Sequence, residues 1–164
     1  MYKTGLIIGR FQPFHKGHEY LMKQAFQHVP KAIIGIGSVN IHDSNNPYSL
    51  QDVLRMLAKA AEKGKWASKI IQTFGIPDFF NDEKWRSYIE SHASPFDVVI
   101  TNNDWVAGIY QDVGFPTIRI PFYRRELYEG IKIRDLMKRQ ENWNDRVPAY
   151  LVPLVKSITK QNTK

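Results

Sequence analysis

The stretch Gly9-Arg10-Phe11-Gln12-Pro13-Phe14-His15-Lys16-Gly17-His18 decides how the rest of the chain is read. It follows a short apolar run, Thr4 to Gly9, and precedes an amphipathic one, Gly17 to His28, so it joins a buried strand to a helix. Gly9 ends the strand without a side chain, which lets backbone or ligand come close, and Pro13 stiffens the crossing. His15 and His18 lie three residues apart at the helix start and can face one ligand, with Gly17 removing bulk between them. A helix N-terminus offers unpaired N–H groups and a dipole that favours anions. The imidazoles, Arg10 and Lys16 add donors at the same place. Together they describe a phosphate cradle. It is neither the Walker A loop nor the Gly-x-Gly-x-x-Gly dinucleotide turn. The same histidine spacing suits a zinc pair, for which no third ligand is obvious nearby, or two ordinary surface residues.

Outward from this loop, apolar runs and amphipathic stretches alternate. Ala32 to Gly37, Lys69 to Phe74, Asp97 to Thr101 and Thr117 to Ile120 read as further strands. Ser38 to Ser49 is a polar loop containing Asn45-Asn46-Pro47. Ser49 with Asp52 forms a capping box for a helix that stops at Gly64. Asn81 or Asp82 caps the next helix, and Asp104 to Val113 is a short one. Gly130 to Gln140 and Ala149 to Ile158 read as helices, the last disturbed by Pro153. The alternation predicts an α/β fold, a Rossmann-like doubly wound parallel sheet of about five strands with C-terminal helices. Ligands in such sheets bind at the carboxyl ends of strands where the strand order reverses, so the loops after the first and fourth strands should carry the chemistry.

Composition bounds the function classes. The chain has 164 residues, 43% hydrophobic and 24% charged, and reads as one domain over 1–164, a core over 1–120 and a basic helical part over 121–164. Without cysteine there is no disulfide framework, thiolate metal site or cysteine nucleophile. The early run Gly5-Leu6-Ile7-Ile8 is cut off at Arg10, so no membrane span is expected and a cytoplasmic location is. Net charge is +7 and uneven: residues 1–118 carry 12 basic against 11 acidic side chains, residues 119–164 carry 11 against 5. The last third therefore favours an anionic partner, which nucleic acid, acidic lipid and nucleotide phosphate all satisfy. A solvated basic surface with no specific ligand satisfies it too.

The first motif, Gly-x-Phe-x-Pro-x-His-x-Gly-His, resembles that of the nucleotidyltransferase superfamily related to class I aminoacyl-tRNA synthetases. Its fuller form from Gly9 to His18 resembles the archaeal-type nicotinamide-nucleotide (NMN) adenylyltransferases. The likeness extends through Ile36-Gly37-Ser38, Pro95-Phe96-Asp97 and Pro121-Phe122-Tyr123-Arg124 to Glu129-Gly130-Ile131-Lys132-Ile133-Arg134, where the family usually has Ser-Gly-Thr-x-Val/Ile-Arg. It implies transfer of the AMP group of ATP to NMN, giving NAD and pyrophosphate, by in-line attack of the mononucleotide phosphate on the α-phosphorus. His15, His18 and Arg134 are then the catalytic residues. Gly9, Arg10, Phe11, Phe14, Lys16 and Gly17 of the first motif, with Gly130, Ile131 and Lys132 of the late one, would bind ATP. Mg2+ would be held mainly by ATP phosphates, and the basic last third would meet the polyphosphate.

Ser38, Asn81, Trp85 and Asn103 would bind the mononucleotide, Trp85 by stacking on its ring. From the residues alone Trp85 is equally a core side chain, and Asn81 and Asn103 are equally helix caps. The sequence departs from the family where Asn45-Asn46-Pro47-Tyr48 stands in place of an arginine-containing loop, with Arg124 or Arg125 as alternative sources of charge. Ile131 also lacks the usual threonine hydroxyl. No glutamate-rich hydrolase box follows. The family forms symmetric assemblies, so a homo-oligomer is expected. Competing readings are a sister enzyme acting on phosphopantetheine, FMN or a polyol phosphate, and a non-catalytic nucleotide sensor or RNA-binding protein. For RNA no exposed aromatic platform is apparent, and a nucleic-acid partner is not expected.

Overall fold

The computed structural model describes residues 1–163, and its strands are β1 (Thr4–Gly9), β2 (Lys31–Gly37), β3 (Ile70–Ile76), β4 (Val98–Thr101) and β5 (Thr117–Arg119). They form one sheet in the order β3-β2-β1-β4-β5, with every neighbouring pair parallel. The chain winds outward from β1 to β3 on one side, then returns to lay β4 and β5 on the other. The order reverses between β1 and β4, which is where a doubly wound sheet opens a crevice.

The period of two along each strand supplies both faces. Ile7, Ile34 and Ile100 face a core shared with α1 (Lys16–His28), α2 (Leu50–Gly64) and α6 (Val152–Asn162). Leu6, Ile33 and Val99 face the other core, under α3 (Asp82–His92) and α4 (Asp104–Gln111). The register sets these rows side by side, Leu6 opposite Ile33 and Val99, and Ile7 opposite Ile34. Each such side chain, fully buried, contributes about 1.5–3 kcal/mol of transfer free energy.

The last third packs on the α1/α2 face through Val147, Leu151, Val155 and Ile158. Polar bonds tie it to the start of the chain: Tyr150 donates to Glu19, and Tyr48 Oη meets Thr159 Oγ1 at 2.9 Å. The helix α5 (Gly130–Lys138) lies between β5 and this packed end.

One local expectation changes. Pro153 does not disturb α6. It sits in the first turn, where its missing N–H has no partner to lose, and a 3-10 turn over Ala149–Leu151 leads into it. The stop of α2 falls at Gly64 as expected, and the cap residue Lys65 takes the left-handed conformation (φ 60). The Ser49–Asp52 capping box forms in both directions.

Candidate active site

A cleft of about 540 Å3 opens at the carboxyl ends of the strands. Four helices begin on its wall, so the N-cap residues His15, Asn81, Asn103 and Glu129 of α1, α3, α4 and α5 all line it. Helix N-termini carry partial positive charge, and four aimed at one space favour an anionic ligand there.

The start of α1 is built by the two histidines. His15 Nδ1 accepts from the backbone N–H of Gly17 (3.1 Å) and of His18 (3.3 Å), while the His15 N–H donates to His18 Nδ1 (3.2 Å). This is a capping box made of imidazoles. Because each Nδ1 accepts, each ring carries its proton on Nε2. The rings stack with centroids 3.7 Å apart. A Cβ on residue 17 would stand 2.8 Å from His15 Cε1 and 3.1 Å from the Tyr128 carbonyl, so only glycine lets the box close.

Phe11 and Phe14 are completely buried beneath the histidines. Their ring centroids lie 4.7 and 5.5 Å from that of His18. Phe11 turns through a positive φ of 55° and lies across Gly9, where a Cβ would meet its ring at 2.9 Å. This apolar bed desolvates the imidazoles. Burial, then the Arg134 charge, lowers the His15 pKa to about 3; burial, then His15 and Arg10, holds His18 well below its ordinary value. Both rings are neutral Nε2–H donors at physiological pH.

Positive charge comes from arginines. Arg134 lies one turn into α5, where its Nη1 donates to the Gln12 carbonyl at 2.9 Å. Its buried Nε has no partner among the described residues. Burial and the nearby Arg10 both disfavour its charge, so an anion between the two guanidinium groups relieves their repulsion. Arg10 Nη1 reaches Asn46 Oδ1 at 3.4 Å, and Asn46 in turn donates to Asp43. Gln12 holds the loops together, its side chain exchanging two hydrogen bonds with the Tyr48 backbone. Sequence reading passed over Gln12 and Asn46 because neither residue type signals chemistry until the fold brings positions 36 apart into contact.

The opposite end of the cleft is aromatic and polar. Ser38, in the left-handed region (φ 57), donates to the Asp78 carboxylate. Asn81 and Asn103 cap α3 and α4, accepting from Lys84 N and Val106 N, and both line the cleft. Trp85 touches the cleft but is only 3% exposed, and Trp105 covers it with ring centroids 4.6 Å apart. Asp78 was missed although it lies two residues beyond the end of β3, where the strand-end rule directs attention.

Several expected residues lie off the wall. Phe14 belongs to the apolar bed. Lys16 is outside the lining, its Nζ 5.9 Å over the ring of Tyr128, which does line the cleft. Ile131 and Lys132 point round the helix from the face shared by Gly130 and Arg134, which are one turn apart. Ile131 is exposed, and Lys132 reaches Glu129 at 3.4 Å and the Arg125 carbonyl at 3.2 Å. Of the basic residues described in the last third, Arg125 and Arg134 alone line the cleft; Arg124 pairs with Glu126 outside it. Arg119 and Arg139 also spend their charge on surface ion pairs, so most of the C-terminal excess is solvated. Arg125 lies over Phe122 at 4.0 Å and faces Glu129 at 3.7 Å. No group of three metal-ligating side chains exists among the described residues. No helix among the described residues is long and apolar enough to cross a membrane.

A sequence model described as cytidylyltransferase-like matches residues 6–136. A nicotinamide-nucleotide adenylyltransferase of Methanolobus tindarius is 37% identical over 163 residues, covering 98% of this chain and 91% of that protein. One from Thermococcus kodakarensis is 33% identical over 159 residues, covering 96% and 85%. Among solved structures, a bifunctional NMN adenylyltransferase/ADP ribose pyrophosphatase of Francisella tularensis superposes with a TM-score of 0.80 at 22% identity, over 99% of this chain. The chain spans about half of that protein's length, 51%. The same protein complexed with AMP and a manganese ion gives a TM-score of 0.75.

Proposed function

We propose, from the premise that the chain belongs to the cytidylyltransferase-like family and within it to the nicotinamide-nucleotide adenylyltransferases, that it transfers the adenylyl group of ATP to nicotinamide mononucleotide. The observation that carries this reading is the imidazole capping box, which aims two neutral Nε2–H donors and a helix N-terminus at the same space as Arg134.

The mononucleotide phosphate is already ionised near neutral pH and needs no strong base. One of its oxygens attacks the α-phosphorus of ATP in line; the bond from that phosphorus to the β-bridging oxygen breaks, and pyrophosphate leaves with the electron pair. His18 and His15 donate to the phosphate oxygens on which charge builds, with no proton changing hands. Arg134 and Arg10 balance the charge of the departing pyrophosphate. Arg125 is the candidate for the mononucleotide phosphate in place of the arginine missing from the Asn45–Tyr48 loop. Ser38, Asn81, Asn103 and the tryptophan pair form the pocket for the mononucleotide, while Gly9, Gly17 and Gly130 leave room for Phe11, His15 and Arg134 to shape the triphosphate site.

The cleft offers Asp78, Asp82 and Glu129 but no ligand cage, a donor set that fits a divalent ion carried in on ATP oxygens. Mg2+ so held would neutralise triphosphate charge, with Glu129 the carboxylate beside Arg134's helix. A cytoplasmic location, where both substrates are found, belongs to the same reading.

The test is a panel of acceptors with ATP and Mg2+, recording product masses: NMN, its acid form, phosphopantetheine, FMN and glycerol 3-phosphate. NAD from NMN at the highest kcat/KM is expected. A product from a different acceptor would keep the phosphate site and reassign the pocket, and no pyrophosphate with any acceptor would contradict the reaction.

A further inference from the structure

The end of the cleft that would take the triphosphate is arranged for anions, yet a carboxylate stands in it. Glu129 is the N-cap of α5, beside Gly130, and lines the cleft together with Arg125, Gly130 and Arg134. The late motif usually has serine at this place, so the chain sets a full negative charge where its relatives have a neutral hydroxyl.

That charge performs no structural task among the described residues. His15, Asn81 and Asn103 cap their helices through side-chain bonds, whereas Glu129 makes no such bond. Its two cationic neighbours both approach Oε2, Arg125 Nε at 3.7 Å and Lys132 Nζ at 3.4 Å, each longer than an ordinary hydrogen bond. Lys132 gives its hydrogen bond to the Arg125 carbonyl instead, at 3.2 Å. The side chains of Glu129, Arg125 and Lys132 are 33%, 56% and 48% exposed, and loose pairs so placed contribute little to stability.

The effect of the charge falls on the ligand. In the reaction proposed above the triphosphate settles against Gly130 and Arg134, on the wall that Glu129 shares. Bare triphosphate oxygens there meet a like charge inside a cleft, where repulsion is only partly screened. A triphosphate that carries a divalent ion presents a positive centre with its bound waters, which one carboxylate suits. A group that penalises one form of a ligand and accepts another is itself a source of specificity.

We propose that Glu129 makes the cleft select the metal-complexed triphosphate over the free polyanion. The inference rests on the reaction proposed above and names the residue that decides which form of ATP is admitted. Arg125 and Lys132, which share Glu129 Oε2, soften the repulsion without cancelling it.

The experiment is calorimetric titration of the full chain with ATP, once in excess Mg2+ and once with a chelator. No acceptor is present, so binding is read without turnover. The wild type should bind the Mg2+ complex at least about tenfold more tightly than metal-free ATP. Glu129→Gln keeps the shape and removes the charge. It should tighten metal-free ATP about tenfold and move the Mg2+ complex by less than about threefold, and Glu129→Ser should do the same. Glu126→Gln removes a carboxylate that pairs with Arg124 outside the cleft and should leave both affinities unchanged. A preference for the Mg2+ complex that survives undiminished in both Glu129 variants overturns the inference, as does loss of Mg2+-complex binding in both. An equal effect of Glu126→Gln overturns it too, by reducing the selection to net charge. If the wild type binds neither form of ATP, the proposed reaction fails and takes the inference with it. If the wild type binds the Mg2+ complex and neither Glu129 variant narrows the gap, only this inference fails.

Discussion

In the proposed reaction His15 and His18 each have two tasks for the two ends of one ring. Nδ1 closes the helix cap, and that bond fixes the proton on Nε2 of rings that line the same cleft as Arg134. A neutral donor is suited to an α-phosphoryl group whose charge rises during transfer, since it binds without a proton having to arrive or leave. His18→Ala should lower kcat by about a hundredfold or more, the scale of one preorganised donor. Its stability cost is the single cap bond from His15 N, about 1 kcal/mol. Steady-state kinetics beside a thermal melt separates the two, and a variant with wild-type turnover would take His18 out of the mechanism. The types and spacing of these residues were legible in the sequence because histidine, glycine and arginine carry chemistry by themselves. The difference between Trp85 and Trp105 was not legible: it depends on how α3 and α4 pack, and the two indoles come from separate helices.

At the scale of elements, the start of α1 couples the site to folding. The His15 pKa falls from 6.5 to about 3 in the folded protein, so below pH 6.5 the unfolded chain binds a proton that the native state refuses. Stability therefore declines as pH falls from about 6.5 toward 3, and His18, shifted the same way, adds to the slope. Asp43 and Asp97, whose carboxyls are held below 3.8 by hydrogen bonds, enter only at lower pH. Between pH 6.5 and 5 the fall belongs mainly to the histidines. His15→Asn retains a side-chain oxygen able to cap and should flatten it, as measured by denaturant midpoints across that range. An equally steep fall in the variant would mean that His15 ionises in the folded state. The strands and helices themselves were readable to within a few residues, since their apolar periods are strong. Helix ends were less so: Pro153 begins a helix it was expected to disturb.

Across the whole molecule, reversal of strand order between β1 and β4 gathers four helix starts around one cleft, although their sequences lie between residues 15 and 130. Charge summed along the chain was a poor guide to this place. The basic last third contributes Arg125 and Arg134 to the wall, while other arginines there are bound to surface carboxylates. Where each charge points is a property of packing that a running count along the sequence does not contain. The central claim, direct transfer of the adenylyl group to the mononucleotide phosphate, is tested most directly by supplying NMN with a heavy-oxygen-labelled phosphate and following the label. The account predicts NAD retaining all of the label, including the bridging atom, beside unlabelled pyrophosphate. Label in the pyrophosphate, or its loss from NAD to water, would contradict it.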